Sequence, residues 1–302
     1  MDEPSTAGGA AEATPGAGRP TPSVPSPSLS GWRAVADGVF VCVAEPDAVN
    51  LGLVVGSAGA LLVDTGSTPE QGRALRASVA AVTDRPLLAV VVTHAHTDHA
   101  FGLAAFDDLD TIGHESLAGR LAGPESALLA AGLGVDPAEL RPPRRPLAVA
   151  TSVDLGDRRV EVVHLGAGHT EGDLLVVVPD ADLLFVGDLV ESAGAPWWGA
   201  DSVPDAWAAT LDGVIGLMTD ATRAVPGHGE PVDREFVFDA RGRAAAVSGE
   251  LTRLAGAGVP ESEALAAGTW PYPPEHVAGG VAPAYAALAG RPRGTRPNLP
   301  MA

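Results

Sequence analysis

Lysine is missing from this chain of 302 residues, and all 19 basic side chains are arginine. That excludes a lysine nucleophile and Schiff-base chemistry. Cysteine occurs once, at Cys42, so no intramolecular disulfide can form. Its strand-like setting over residues 39–43 reads as that of a small buried hydrophobe, not a nucleophile. No apolar stretch approaches the ~20 residues of a membrane span, and no charged start followed by an apolar run marks an export signal. A cytoplasmic protein that stays off membranes is the expectation. Positive charge is also short: the net charge is −19, with 46% hydrophobic residues. Nucleic acid and other polyanions are poor partners for so acidic a globular chain, and a small-molecule substrate is expected. Nothing in the sequence fixes an oligomeric state.

Residues 1–30 are built from Pro, Ala, Gly, Ser and Thr and read as a disordered tail, because they cannot bury enough surface to offset their ordering entropy. Residues 31–235 carry short apolar runs punctuated by turn residues, the texture of one domain. Residues 236–302 read as a mostly helical extension packed on it. Strands are expected at 39–43, 51–55, 60–63, 87–93, 149–153, 160–165, 174–178, 183–186 and 221–225, with helices at 69–82 and 116–140. Trp207, Leu211, Val214, Ile215 and Met218 recur at helical spacing and form a core stripe. The Arg-Pro-Pro-Arg-Arg-Pro segment at 141–146 reads as a stiff, exposed loop.

The densest chemistry follows the apolar run 87–93, where His94, His96, Asp98 and His99 fall within six positions. In extended backbone, residues two apart face the same way, so His94 and His96 can reach one cation from the strand end. A turn into a helix near Ala100 would carry Asp98 and His99 round toward a second. The bland alternative, a polar loop with Asp98 capping a helix, does not account for four potential ligands on one strand end. Three later strand ends repeat the device. His169 lies among glycines that let the backbone aim its ring inward, as a third ligand to the first cation. His228 stands between Gly227 and Gly229 and completes a second set with Asp98 and His99. Asp188 follows Gly187 and either caps a turn or bridges the two cations; the other ligands favour the bridge.

Around these lie residues with two readings. Asp64 either caps a turn or orients a ligand histidine from behind. Trp197 and Trp198 are a substrate-facing wall or buried packing, and Glu191 is a pocket acid or a surface charge. His114 belongs to structure or the pocket edge, His164 to the core and His276 to a helix end. Nitrogen and oxygen donors without sulfur favour Zn²⁺, two per chain, with Fe or Mn also accepted. Two cations ~3.5–4 Å apart can bring the pKa of a shared water to about 7. Asp98 would then hold the second cation and accept a hydrogen bond from the nucleophile, which makes it the catalytic candidate.

The order H-x-H-x-D-H, glycine-flanked His, Gly-Asp, Gly-His-Gly resembles that of the metallo-β-lactamase superfamily over about residues 35–228, and Asp64-Thr65-Gly66 matches the family's early strand-end aspartate. The resemblance implies an α/β fold: a four-layer αββα sandwich of two mixed sheets, helices outside and the site at one edge. True β-lactamases of the family place a cysteine ligand near the position of Asp188. An aspartate there is similar to the glyoxalase II and lactonase branches, although no glutathione-binding Lys and Tyr set follows the last strand. The function implied is hydrolysis of an ester, thioester, lactone or amide carbonyl. The alternatives are a mononuclear iron dioxygenase of the persulfide dioxygenase type and a catalytically silent metal-binding domain.

Overall fold

The computed structural model describes residues 27–290. Strands β1 (Ser28–Leu29), β2 (Arg33–Ala36), β3 (Val39–Glu45), β4 (Val49–Val55) and β5 (Ala60–Val63) open the chain, followed by helix α1 (Pro69–Ser78). Next come β6 (Leu87–Val91), the one-turn helix α2 (Thr97–Ala100), β7 (Asp110–His114), α3 (Leu117–Leu121) and α4 (Pro124–Gly132). Strands β8 (Arg145–Leu147), β9 (Ala150–Asp154), β10 (Arg159–Val163), β11 (Leu175–Val178) and β12 (Leu183–Gly187) precede α5 (Pro204–Leu217) and β13 (Arg223–Pro226). Helices α6 (Arg234–Gly256), α7 (Glu261–Ala267), α8 (Pro274–Val277) and α9 (Val281–Gly290) finish the described chain.

One sheet runs β1-β3-β4-β5-β6-β7-β8 with β2 paired to β3, and the other runs β13-β12-β11-β10-β9. Both are mixed: β5 to β8 are parallel neighbours, as are β12 and β13, while the remaining pairs are antiparallel. Because successive residues of a strand face opposite ways, each apolar run feeds two cores at once. Leu61, Val63, Ala89 and Val91 point between the sheets, where they meet Val160, Val162, Val176 and Phe185. Leu62, Val90 and Val92 point outward onto Leu75, Phe101 and Phe106. On the far side Leu184 and Val186 pack on Trp207, Leu211, Val247 and Leu251. These three cores separate four layers, the αββα sandwich expected. Gly52 marks where the sheets approach closely, since a Cβ there would strike the Phe185 ring.

Several boundaries move. The tail does not extend to residue 30: Ser28 and Leu29 pair with Glu45 and Ala44. The Trp32 indole anchors them by donating to Ser78. Residues 1–26 of the expected tail lie outside the described residues. The single helix expected over 116–140 is broken at Gly123-Pro124 and ends at Gly132, followed by a short 3-10 turn over Pro137–Glu139. His164 follows β10 instead of lying within it, and is half-buried with Nδ1 2.9 Å from the Asp173 carbonyl. Among the described residues no helix is long and apolar enough to cross a membrane.

Candidate metal centre

Strands β5 and β6 run parallel with Val63 beside Val91. At their ends Asp64 adopts a left-handed backbone, φ 63°, which turns its carboxylate under the neighbouring strand. Asp64 Oδ1 accepts from the Thr93 amide at 2.7 Å and Oδ2 lies 2.8 Å from His99 Nδ1. The Thr93 hydroxyl donates to the same carboxylate at 2.9 Å and stands 3.1 Å from His94 Nδ1. With these Nδ1 atoms engaged as donors, the Nε2 lone pairs of His94 and His99 are free to face the site.

The structure brings together every metal-ligand candidate from the sequence. His94, His96, His169 and Asp188 offer donor atoms within 4.8 Å of one another, and Asp98, His99 and His228 form a second group by the same measure. Asp188 lies between the groups: its Oδ2 is 3.7 Å from His94 Nε2, 3.4 Å from His169 Nε2 and 3.6 Å from His228 Nε2, and its Oδ1 is 3.3 Å from His99 Nε2. Asp98 Oδ2 sits 3.2 Å from His228 Nε2 and 3.4 Å from His99 Nε2. The approach of β12 to β13 depends on Gly227, where a Cβ would run into Asp188 Oδ1.

Burial alone would neutralise the charged members of this cluster, yet their pairing outweighs it. His99 and His228 hold Asp98 well below the usual carboxylate range, and His99 and His94 do the same for Asp188. Asp98, Asp188 and Asp64 hold His99 well above the imidazole range, while Asp188 and Asp98 raise His228 to about 10. Burial and neighbouring imidazoles drive His94 down and His169 to about 4. The site therefore demands positive charge, which some of its imidazoles can supply only by holding protons. A divalent cation answers that demand and also accepts the lone pairs. His94 Nε2, His99 Nε2 and Asp188 Oδ1 are buried without a hydrogen-bond partner, which is the condition of a ligand atom.

Three contributors escaped sequence reasoning. Asp201 Oδ2 lies 3.2 Å from His96 Nε2 and 3.6 Å from Arg120, and despite partial burial His96 and Arg120 hold its carboxyl at about 2. The Asp47 carbonyl takes His228 Nδ1 at 3.0 Å. Thr93 links Asp64 to His94, and only its place directly before the first histidine could have signalled it. The substrate-wall candidates divide. Trp198 is fully buried with its ring 4.3 Å from that of Trp207, whereas Trp197 is 53% exposed and stands edge-on to His276. Glu191, pushed to about 7 by burial and by Asp188, joins Trp198, Phe236, Arg243 and Tyr272 around a narrow cleft with only about 20 Å³ of room. His114 lies beside His164, ring centres 4.4 Å apart, outside both groups.

A two-sheet sandwich with a histidine-aspartate cluster suited to a divalent metal at the strand ends defines a metal-dependent hydrolase fold. The chain belongs to the metallo-beta-lactamase superfamily, whose sequence model matches residues 44–228. A metallo-beta-lactamase type 2 of Bacillus cereus is 29% identical over 190 residues, covering 62% of this chain and 70% of the relative. An acyl-coenzyme A thioesterase of Bos taurus is 28% identical over 240 residues, covering 68% and 83% respectively. Among solved structures, a metallo-beta-lactamase from Pontibacter korlensis superposes with a TM-score of 0.57 at 22% identity, covering 72% of this chain and 99% of that one.

Proposed function

We propose that the chain is a dinuclear metallo-hydrolase of acyl thioesters and related esters, with Zn²⁺ at both positions. One observation carries this reading: a single carboxylate, Asp188, stands within 3.3–3.7 Å of imidazole nitrogens from both donor groups. His94, His96 and His169 would hold one cation and Asp98, His99 and His228 the other, with Asp188 shared. Bound there, such a pair supplies a water that is nucleophilic at neutral pH and a Lewis acid for the carbonyl oxygen. Asp98 orients the attacking water by accepting its hydrogen bond. The carbonyl carbon gains the water oxygen, the C–S bond breaks, and the released thiolate takes up a proton.

Thioesters are preferred over β-lactams because the donor set contains no sulfur. The one cysteine, Cys42, lies in β3 facing the outer core, with its thiol pushed to about 12 by burial. The kinship with an acyl-coenzyme A thioesterase over 68% of the chain supports the same choice. Glu191 and Trp197 are assigned to the substrate pocket, Trp198 to the packing behind it, and Asp64 to orienting His99.

Purified protein of measured metal content, assayed against acyl-coenzyme A thioesters, lactones, β-lactams and phosphodiesters, tests the reading. Two zinc ions per chain with thioester turnover support it. One iron per chain with sulfite formed from a persulfide overturns it in favour of a dioxygenase.

A further inference from the structure

Helix α4 is built inside out. It turns Ser126 and Ala130 toward the protein, while Leu128 and Leu129 are 75% and 46% exposed and Leu133, at its C-cap, is 38% exposed. A surface helix ordinarily buries its leucines and exposes its small and polar residues. The rotation of α4 is fixed at both ends, so the leucines cannot turn inward. Pro124 starts the helix, and Gly134, at φ 71°, closes it with the Val135 amide on the Ala130 carbonyl at 2.8 Å and its own amide on that of Ala131 at 3.1 Å. Buried Val135 pins this cap to the outer core.

Single exposed leucines need no explanation, but these three share one groove. Leu128, Leu129 and Leu133 line an open groove of about 300 Å³ together with Asp47, Thr97 and Asp98. Asp98 is also a member of the metal cluster, so the groove has an apolar side wall and a catalytic end. Its polar lining is acidic or neutral and contains no arginine, which disfavours the phosphate-bearing half of a coenzyme thioester and suits an uncharged alkyl chain.

We infer that the leucine row of α4 binds the alkyl tail of the acyl group, so that the enzyme prefers long, straight acyl chains over short ones. This rests on the hydrolase reading above. An alkyl chain lying along the row would be anchored at the carbonyl by the metal centre and would cover Leu128, the most exposed of the three.

The test compares the metal-loaded full chain with Leu128→Ser and Leu128→Ser/Leu133→Ser, neither of which empties a buried site. With acetyl-, hexanoyl- and dodecanoyl-coenzyme A, wild-type kcat/KM is expected to rise about two- to fourfold per methylene that enters the groove. The double variant should lose at least about tenfold on the dodecanoyl substrate while staying within about twofold on the acetyl one. Equal losses at every length, or a wild type indifferent to length, overturn the inference. Calorimetric binding of non-hydrolysable dodecyl- and ethyl-coenzyme A thioethers gives a readout independent of turnover. Absent thioesterase activity with dodecyl binding still weakened in the variant sinks the hydrolase reading and leaves the groove standing. Unchanged dodecyl binding sinks the groove. A wild-type dimer dissolved by Leu128→Ser, with no change in length preference, would assign the leucines to a second copy of the chain and refute the inference.

Discussion

Asp64 Oδ2 lies 2.8 Å from His99 Nδ1, and through Thr93 the same carboxylate fixes His94. One side chain thus presets an imidazole in each donor group. Asparagine tolerates the left-handed backbone that Asp64 occupies, so Asp64→Asn removes charge without adding strain. Metal affinity is expected to fall about 10- to 100-fold, read by competition with a chromophoric chelator. Wild-type affinity in the variant would leave Asp64 as a turn residue only.

Asp188→Ala removes the carboxylate common to both groups. The variant is expected to keep its circular dichroism spectrum, to bind one cation fewer by elemental analysis, and to lose at least about 10³-fold in kcat. Full turnover with one ion would show that no shared ligand is needed.

Gly227→Ala tests the same carboxylate from behind without touching a donor. The new Cβ would collide with Asp188 Oδ1, so metal affinity should fall although every ligand is present. Gly242→Ala, in the open on α6, is the control and should leave affinity unchanged.

Burial pushes the Asp173 carboxyl to about 7 against the hydrogen bonds it accepts from the Thr170 amide and hydroxyl. A folded pKa above the unfolded value of about 3.9 means that the native state holds the proton more tightly. The resulting stabilisation is fully present below about pH 4 and is lost as pH rises through 7. In chelator-treated protein, wild type should lose stability relative to Asp173→Asn over that window by at most ~1.4 kcal/mol per pH unit. Urea melts at pH 4, 5.5 and 7 would measure it, and a constant difference would contradict the shift.

The Cys42 thiol, buried and pushed to about 12, should resist a disulfide reagent at pH 8 in the native protein. Modification is expected only at the rate of global unfolding. A burst of labelling without denaturant would show that β3 opens locally.

Much of this was legible because each donor segment follows an apolar strand and carries a glycine or a turn, although β6 stops at Val91 and β10 at Val163, so the loop path and not strand period aims His94, His96 and His169. His94, His96, His169, Asp188 and His228 were readable in that way. Asp201 was not, since nothing in its local sequence marks a residue brought to His96 only by the path of the chain after β12. The orientation of α4 was equally hidden. An Ala- and Leu-rich stretch reads as core-facing helix, and the break at Gly123-Pro124 together with the Gly134 cap, not apolar content, decides which side meets solvent. Trp197 and Trp198 are adjacent in sequence and opposite in fate, because the second is drawn onto Trp207.

The donors are divided between the two sheets. His94, His96, Asp98 and His99 follow β6, whereas His169, Asp188 and His228 follow β10, β12 and β13. Prising the sandwich apart along its seam would separate donor from donor before either half melted. A loaded ion therefore acts as a rivet through both plates, and its escape and the thermal collapse of the protein should register as one event on a calorimeter.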